Sequence, residues 1–146
     1  MGRIATSLSL PYPVDRVFRA ATRVADLPRW MPEVVEAQLL DPALAVGSRV
    51  RLRLSAAAAG AEVTGTVTEL DPPRRLVIAG SGGPIGVRVG VTLRETGPGQ
   101  TSGELRIDLD TPPFLGFVTR EAERRIEAGL PGALERLREL IEAEPG

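Results

Sequence analysis

The side chains able to do chemistry are few in kind. The 146-residue chain has no cysteine, no histidine and no lysine, so all 18 of its basic residues are arginines. That excludes thiolate and imidazole nucleophiles, Schiff-base lysines, cysteine/histidine zinc sites and a lysine-bearing phosphate loop. Proton transfer is left to the 19 acids, the single Tyr12, an ordered water or a cofactor. Asp108 and Asp110 are two apart in an alternating run and share a face, but it is the outward face that also carries Arg106. Glu69, near the end of another such run, is the acid that the alternation turns inward. Arg120 and Arg124, four apart at the start of the last helical pattern, could meet a carboxylate or phosphate head group. The glycines from Gly80 to Gly86 are not a dinucleotide fingerprint, because their spacing fails and a strand pattern follows them. The sequence points to no catalytic set, no metal site and no cofactor.

Those groups must be held by something, and the apolar pattern says what. Ile4, Thr6, Leu8 and Leu10 alternate with Ala5, Ser7 and Ser9, the period of a strand, which Pro11 and Pro13 end. Val14, Val17, Phe18 and Ala21 fall on one face of a short amphipathic helix, with Asp15 in its first turn. Asp26 is placed to cap a second short helix through Trp30, with Pro28 near its start and Pro32 closing it. Strand patterns follow. Val35, Ala37 and Leu39 share a face; Val50, Leu52 and Leu54 oppose Arg49, Arg51 and Arg53. Val63, Gly65 and Val67 oppose Glu62, Thr64, Thr66 and Thr68. Leu76 to Ala79 reads as a short strand before a flexible connection from Gly80 to Pro84. Ile85, Val87, Val89, Val91 and Leu93 then oppose Arg88, Thr92 and Arg94, and Leu105, Ile107 and Leu109 oppose Glu104, Arg106, Asp108 and Asp110. Such runs joined by turns predict an antiparallel sheet with one wet and one buried face. After Thr111-Pro112-Pro113, the stripe Val118, Ala122, Ile126, Leu130, Leu134, Leu137 and Ile141 predicts a long helix that needs a partner, kinked at Pro131.

Composition sets the class. Hydrophobic residues make up 42% and charged residues 25%, as in a soluble globular protein, and the length predicts one domain over residues 1–146. The formal net charge is −1 and arginines interleave with acids, so no nucleic-acid partner is expected. No apolar run approaches the roughly 18 residues needed to span a bilayer, so no stable membrane insertion is expected. The first ten residues alternate rather than forming an apolar leader, which makes a cytoplasmic address the expectation.

The order strand, two short helices, about six strands and one long helix resembles the SRPBCC superfamily, also called START-like or helix-grip. The nearest branch is that of the polyketide cyclase/dehydrase and lipid-transport proteins. The carrying residues are Pro13-Val14-Asp15-Arg16-Val17-Phe18, Trp30-Met31-Pro32-Glu33-Val34, Val46-Gly47-Ser48-Arg49 and Asp71-Pro72-Pro73-Arg74-Arg75-Leu76, with Ala133 to Leu140 in the tail. The resemblance implies an α+β helix-grip fold: a curved antiparallel sheet of seven strands around the C-terminal helix. It also implies an apolar cavity under that helix for a lipid, polyketide, sterol or similar molecule, with the short helices shaping its mouth.

On that reading the sheet supplies Leu52, Leu54, Val63, Val67, Leu76, Ile78, Val89, Val91, Leu105 and Ile107 to the cavity. The helix end adds Phe114, Phe117, Val118, Ile126 and Leu130, and the gate adds Trp30 and Met31. Glu69, Arg120 and Arg124 are its candidate polar anchors. Such a lining suits an apolar ligand held by shape. The expected function is binding, or carriage, of a hydrophobic small molecule or lipid. A cyclase or dehydratase using the same cavity is the enzyme alternative, with Glu69, Tyr12 or an arginine handling protons or charge. An interaction module whose cavity is vestigial and that docks a partner on its outer arginine rows is the third.

Overall fold

In the computed structural model, which describes residues 2–55 and 60–144, strand β1 (Gly2–Leu10) opens the chain with its alternate apolar residues buried. Proline cannot donate to a strand ladder, and after Pro11 and Pro13 the chain turns into helix α1 (Val14–Ala21), which buries Val17, Phe18, Ala20 and Ala21. A 3-10 turn at Val24–Asp26 leads into the single-turn helix α2 (Leu27–Trp30). The sequence assigns Asp26 as its cap. The Asp26 carboxylate makes no capping bond there, because it pairs with Arg23 at 3.2 Å and Arg29 at 3.7 Å.

Six strands follow: β2 (Val34–Leu39), β3 (Arg49–Leu54), β4 (Glu62–Asp71), β5 (Arg75–Gly82), β6 (Ile85–Gly97) and β7 (Gln100–Asp110). With β1 they form one curled antiparallel sheet in the order β1-β7-β6-β5-β4-β3-β2. A 3-10 turn at Pro113–Leu115 then starts helix α3 (Gly116–Ala143), 28 residues that continue through Pro131. Helix α3 packs on β1, α1 and α2. Its buried stripe, Ala122, Ile126, Leu130, Ala133, Leu137 and Ile141, joins the inner-face residues of the sheet in one core. Each large apolar side chain fully buried there contributes about 1.5–3 kcal/mol.

Three departures from strict alternation shape this face. A bulge in β2 places Val34 opposite Leu54 but Glu36 opposite Arg53, so Val34 turns inward and Val35 outward, reversing the expected face of Val35. A second bulge, in β4, pairs Val67 with Ile78 and then Glu69 with Val77, which turns Glu69 outward. The third concerns Gly80 to Gly82, expected as a flexible connection. They extend β5: a Cβ on Gly80 would lie 2.4 Å from the Gly65 Cα, so these glycines let two strands approach closely.

The far end of α3 is tied down by arginines. Arg16 donates to the Ile141 carbonyl at 2.7 Å, and Arg19 and Arg23 reach the Glu144 carboxylate at 3.0 and 2.8 Å. Cations at a helix C-terminus meet its unpaired carbonyls and the negative end of its dipole.

Candidate functional site

The segment from Trp30 to Val34 is clamped between α3 and the sheet. Trp30 is 1% exposed, and its carbonyl accepts a bond from Arg136 at 3.3 Å. Met31 donates its backbone N–H to Leu27 at 2.8 Å, closing α2. Pro32 then lies against α3 at Gly129, where an added Cβ would stand 3.2 Å from the proline ring. Glu33 follows with φ of 64°, a left-handed conformation uncommon outside glycine. Ser55, just beyond β3, fixes Glu33 twice: its N–H donates to the Glu33 carbonyl at 2.9 Å and its hydroxyl donates to Oε2.

Two small chambers flank this segment inside the grip. The first, about 40 Å³, lies between the short helices and the sheet, against Val24, Leu27, Leu76, Ile78 and Val91. The second, about 50 Å³, lies under α3, against Leu54, Val87, Ile107, Leu109, Ala122 and Ile126. Met31, Val34, Leu52 and Val89 belong to both linings and form the wall between them. Apart from Thr22 in the first chamber and Glu33 in the second, the lining side chains are apolar, and Glu33 is the one titratable residue on either.

The arginine–acid pairs lie outside the chambers. On the outer sheet face Arg51 pairs with Glu62 and Arg53 with Glu36, while Asp108 bridges Arg3 and Arg106, each at 3.3 Å. Beside that face the bonds from Arg49 hold the Asp41 carboxyl below its ordinary range. The Tyr12 hydroxyl donates to Glu142, a bond that raises the phenol's pKa, and it lines neither chamber. Among the described residues no three acids converge to hold a metal ion, and no helix is long and apolar enough to cross a membrane.

Residues 1–142 match the family model for polyketide cyclase/dehydrase and lipid transport. The chain belongs to this family. A solved structure from Mesorhizobium loti shares 18% identity and a TM-score of 0.74, covering 99% of this chain and 100% of that one. An aromatase/cyclase from a Streptomyces species shares 17% identity and a TM-score of 0.67, covering 96% of this chain and 90% of its own. A Thermus thermophilus protein shares 19% identity and a TM-score of 0.72, covering 97% and 98%. These likenesses show the helix-grip fold. No curated protein sequence matches.

Within this member of the polyketide cyclase/dehydrase and lipid transport family, the residues expected at the cavity divide into three groups. Met31, Leu52, Leu54, Leu76, Ile78, Val89, Val91, Ile107 and Ile126 line the chambers. Trp30, Val63, Val67, Leu105 and Leu130 are buried but line neither, and Val118 is half-buried off both. The rest lie outside. Phe114 and Phe117 are 75% and 64% exposed. The buried stripe of α3 starts at Thr119, which bonds to Thr111, and Phe117 stands roughly 200° around the helix from it. Phe114 belongs to the preceding 3-10 turn.

None of the three expected polar anchors reaches a chamber. The β4 bulge sends Glu69 to the outer face, where it pairs with Arg75 at 3.1 Å and Arg88 at 3.7 Å. Arg120 and Arg124 are exposed on α3, and Arg124 is held by Glu121 at 2.6 Å. The polar residue on the second chamber is Glu33, which alternation passes over because it precedes the strand and its backbone conformation leaves no periodic trace. Val87, Leu109 and Ala122, inward by the same spacing as their neighbours, are legible in the pattern as lining residues.

Proposed function

We propose that this protein binds a hydrophobic small molecule or lipid in the space between the sheet and α3. The carrying observation is the wall of Met31, Val34, Leu52 and Val89 dividing two apolar chambers. Each chamber is smaller than the ~150 Å³ that accommodates a benzene ring, so a ligand has to displace part of that wall. Methionine suits the part: it is unbranched, has three rotatable bonds and repacks readily. Merging the chambers would give one cleft whose apolar lining holds its ligand by shape and burial.

Cyclase chemistry on a polyketide-like substrate has less support. Glu33 is the one titratable group on the lining, and no arginine pairs with it among the described residues. A docking module built on segregated arginines is likewise disfavoured, because the outer arginines are interleaved with acids they pair with. Native mass spectrometry of the purified chain, followed by organic extraction and a panel of fatty acids, sterols and aromatic polyketides, tests the proposal. An extracted apolar molecule, or saturable one-to-one binding from the panel, is the expected result. A chain that repeatedly emerges bare and binds none of the panel overturns it.

A further inference from the structure

We infer that Glu33 is the recognition residue of this cavity, accepting a hydrogen bond from a hydroxyl group at one end of an otherwise apolar ligand. The inference rests on the proposed binding in the two chambers and names what the ligand must carry.

Four observations converge on this side chain. It is the one titratable residue on a lining otherwise almost wholly apolar. Its backbone is held at φ 64°, a conformation that side-chain-bearing residues rarely adopt, and such positions cluster at binding sites. The chain on either side is closely packed or paired: Pro32 lies against Gly129 of α3, and the β2 bulge lies directly after Val34. Finally, one carboxylate oxygen is open to a further donor, since Oε1 is not sealed from solvent. Ser55 donates to Oε2, while among the described residues no donor reaches Oε1 and no arginine pairs with the group. Acids on the outer face, such as Glu36, Glu62 and Glu69, each have an arginine.

A carboxylate oxygen accepts hydrogen bonds, so the group it selects is a donor. At the edge of an apolar cavity such an acceptor gains little from a methyl ether and much from an alcohol or phenol. A site built to bond a hydroxyl rejects the analogue that lacks it far more sharply than a greasy wall distinguishes shapes. Ser55 serves as the positioning residue: it orients the carboxylate and occupies the oxygen that the ligand does not use.

The test is a matched pair of probes, 2-naphthol and 2-methoxynaphthalene, titrated calorimetrically into the whole chain and its E33G variant. Glycine is chosen because it removes the carboxylate while relaxing the positive φ. The expected result is a wild-type preference for 2-naphthol of about tenfold or more, the worth of a hydrogen bond to a charged group. In E33G the preference vanishes, 2-methoxynaphthalene binds within about twofold of wild type, and the melting temperature holds or rises. Wild type that binds the two probes equally overturns the role of Glu33 and leaves cavity binding standing. So does E33G that keeps the preference. A variant that melts lower and loses both probes alike makes Glu33 a structural tether and overturns the inference. Wild type that binds neither probe overturns the cavity proposal and this inference together.

Discussion

Met31 separates two volumes while belonging to both, so its removal should have two opposite effects. Truncation by Met31→Ala leaves a cavity and is expected to cost about 2–5 kcal/mol of stability in urea melts. The same change joins the chambers, so benzene should raise the midpoint of the variant by more than it raises that of wild type. Phe117 and Ile126 make the complementary comparison on α3. Phe117→Ser removes a ring that is already in water and should change stability by no more than about 0.5 kcal/mol. Ile126→Ala, on the buried stripe, should cost about 2–5 kcal/mol. Equal effects from the two substitutions would contradict the helical phase described for α3.

At the scale of elements, α3 is held at its last turn by the side chain of Arg16. Arg16→Ala leaves the Ile141 carbonyl to solvent and should cost about 1–2 kcal/mol, read as a lowered thermal midpoint. Loss of protection should be greatest in amide exchange over the final turns of α3. Most of the elements were legible in the sequence, because period-two runs such as Val50, Leu52 and Leu54 encode burial on one face directly. What alternation cannot encode is an inserted residue. Each bulge reverses the faces on one side of it, and that is why Val35 parts from the face of Ala37 and Leu39 and why Glu69, inward by alternation, stands outward. The same limit hid the site. Its apolar wall follows from alternation, but Glu33 is placed by a left-handed backbone and by Ser55, 22 positions away. Phe117 stands outward for a different reason: a hydrophobic residue near a helix start carries no sign of the stripe's phase, which Thr119 fixes.

The molecule as a whole lacks histidine and cysteine, the side chains whose ordinary pKa values lie between about 6 and 9. Tyr12 is pushed further up by its bond to Glu142. Four carboxyls are held low: Asp41 by Arg49, Glu121 by Arg124, Glu142 by Tyr12 and Glu144 by Arg23. A carboxyl whose folded pKa is depressed lends stability that is fully present above its unfolded value, about 4. That stability is lost as the pH falls through the lower folded value. The melting temperature should therefore be flat from about pH 6 to pH 9 and fall below about pH 4, with Glu144 loosening the end of α3. A step near pH 6.5 in a differential scanning series would contradict this. The same scarcity extends to optics. Trp30 is the only tryptophan, it is sealed from solvent, and its immediate chain neighbour is the methionine that divides the chambers. The indole is thus a built-in fluorophore for the opening of the wall: its emission wavelength and acrylamide quenching will report, without any label, each time the grip admits a guest.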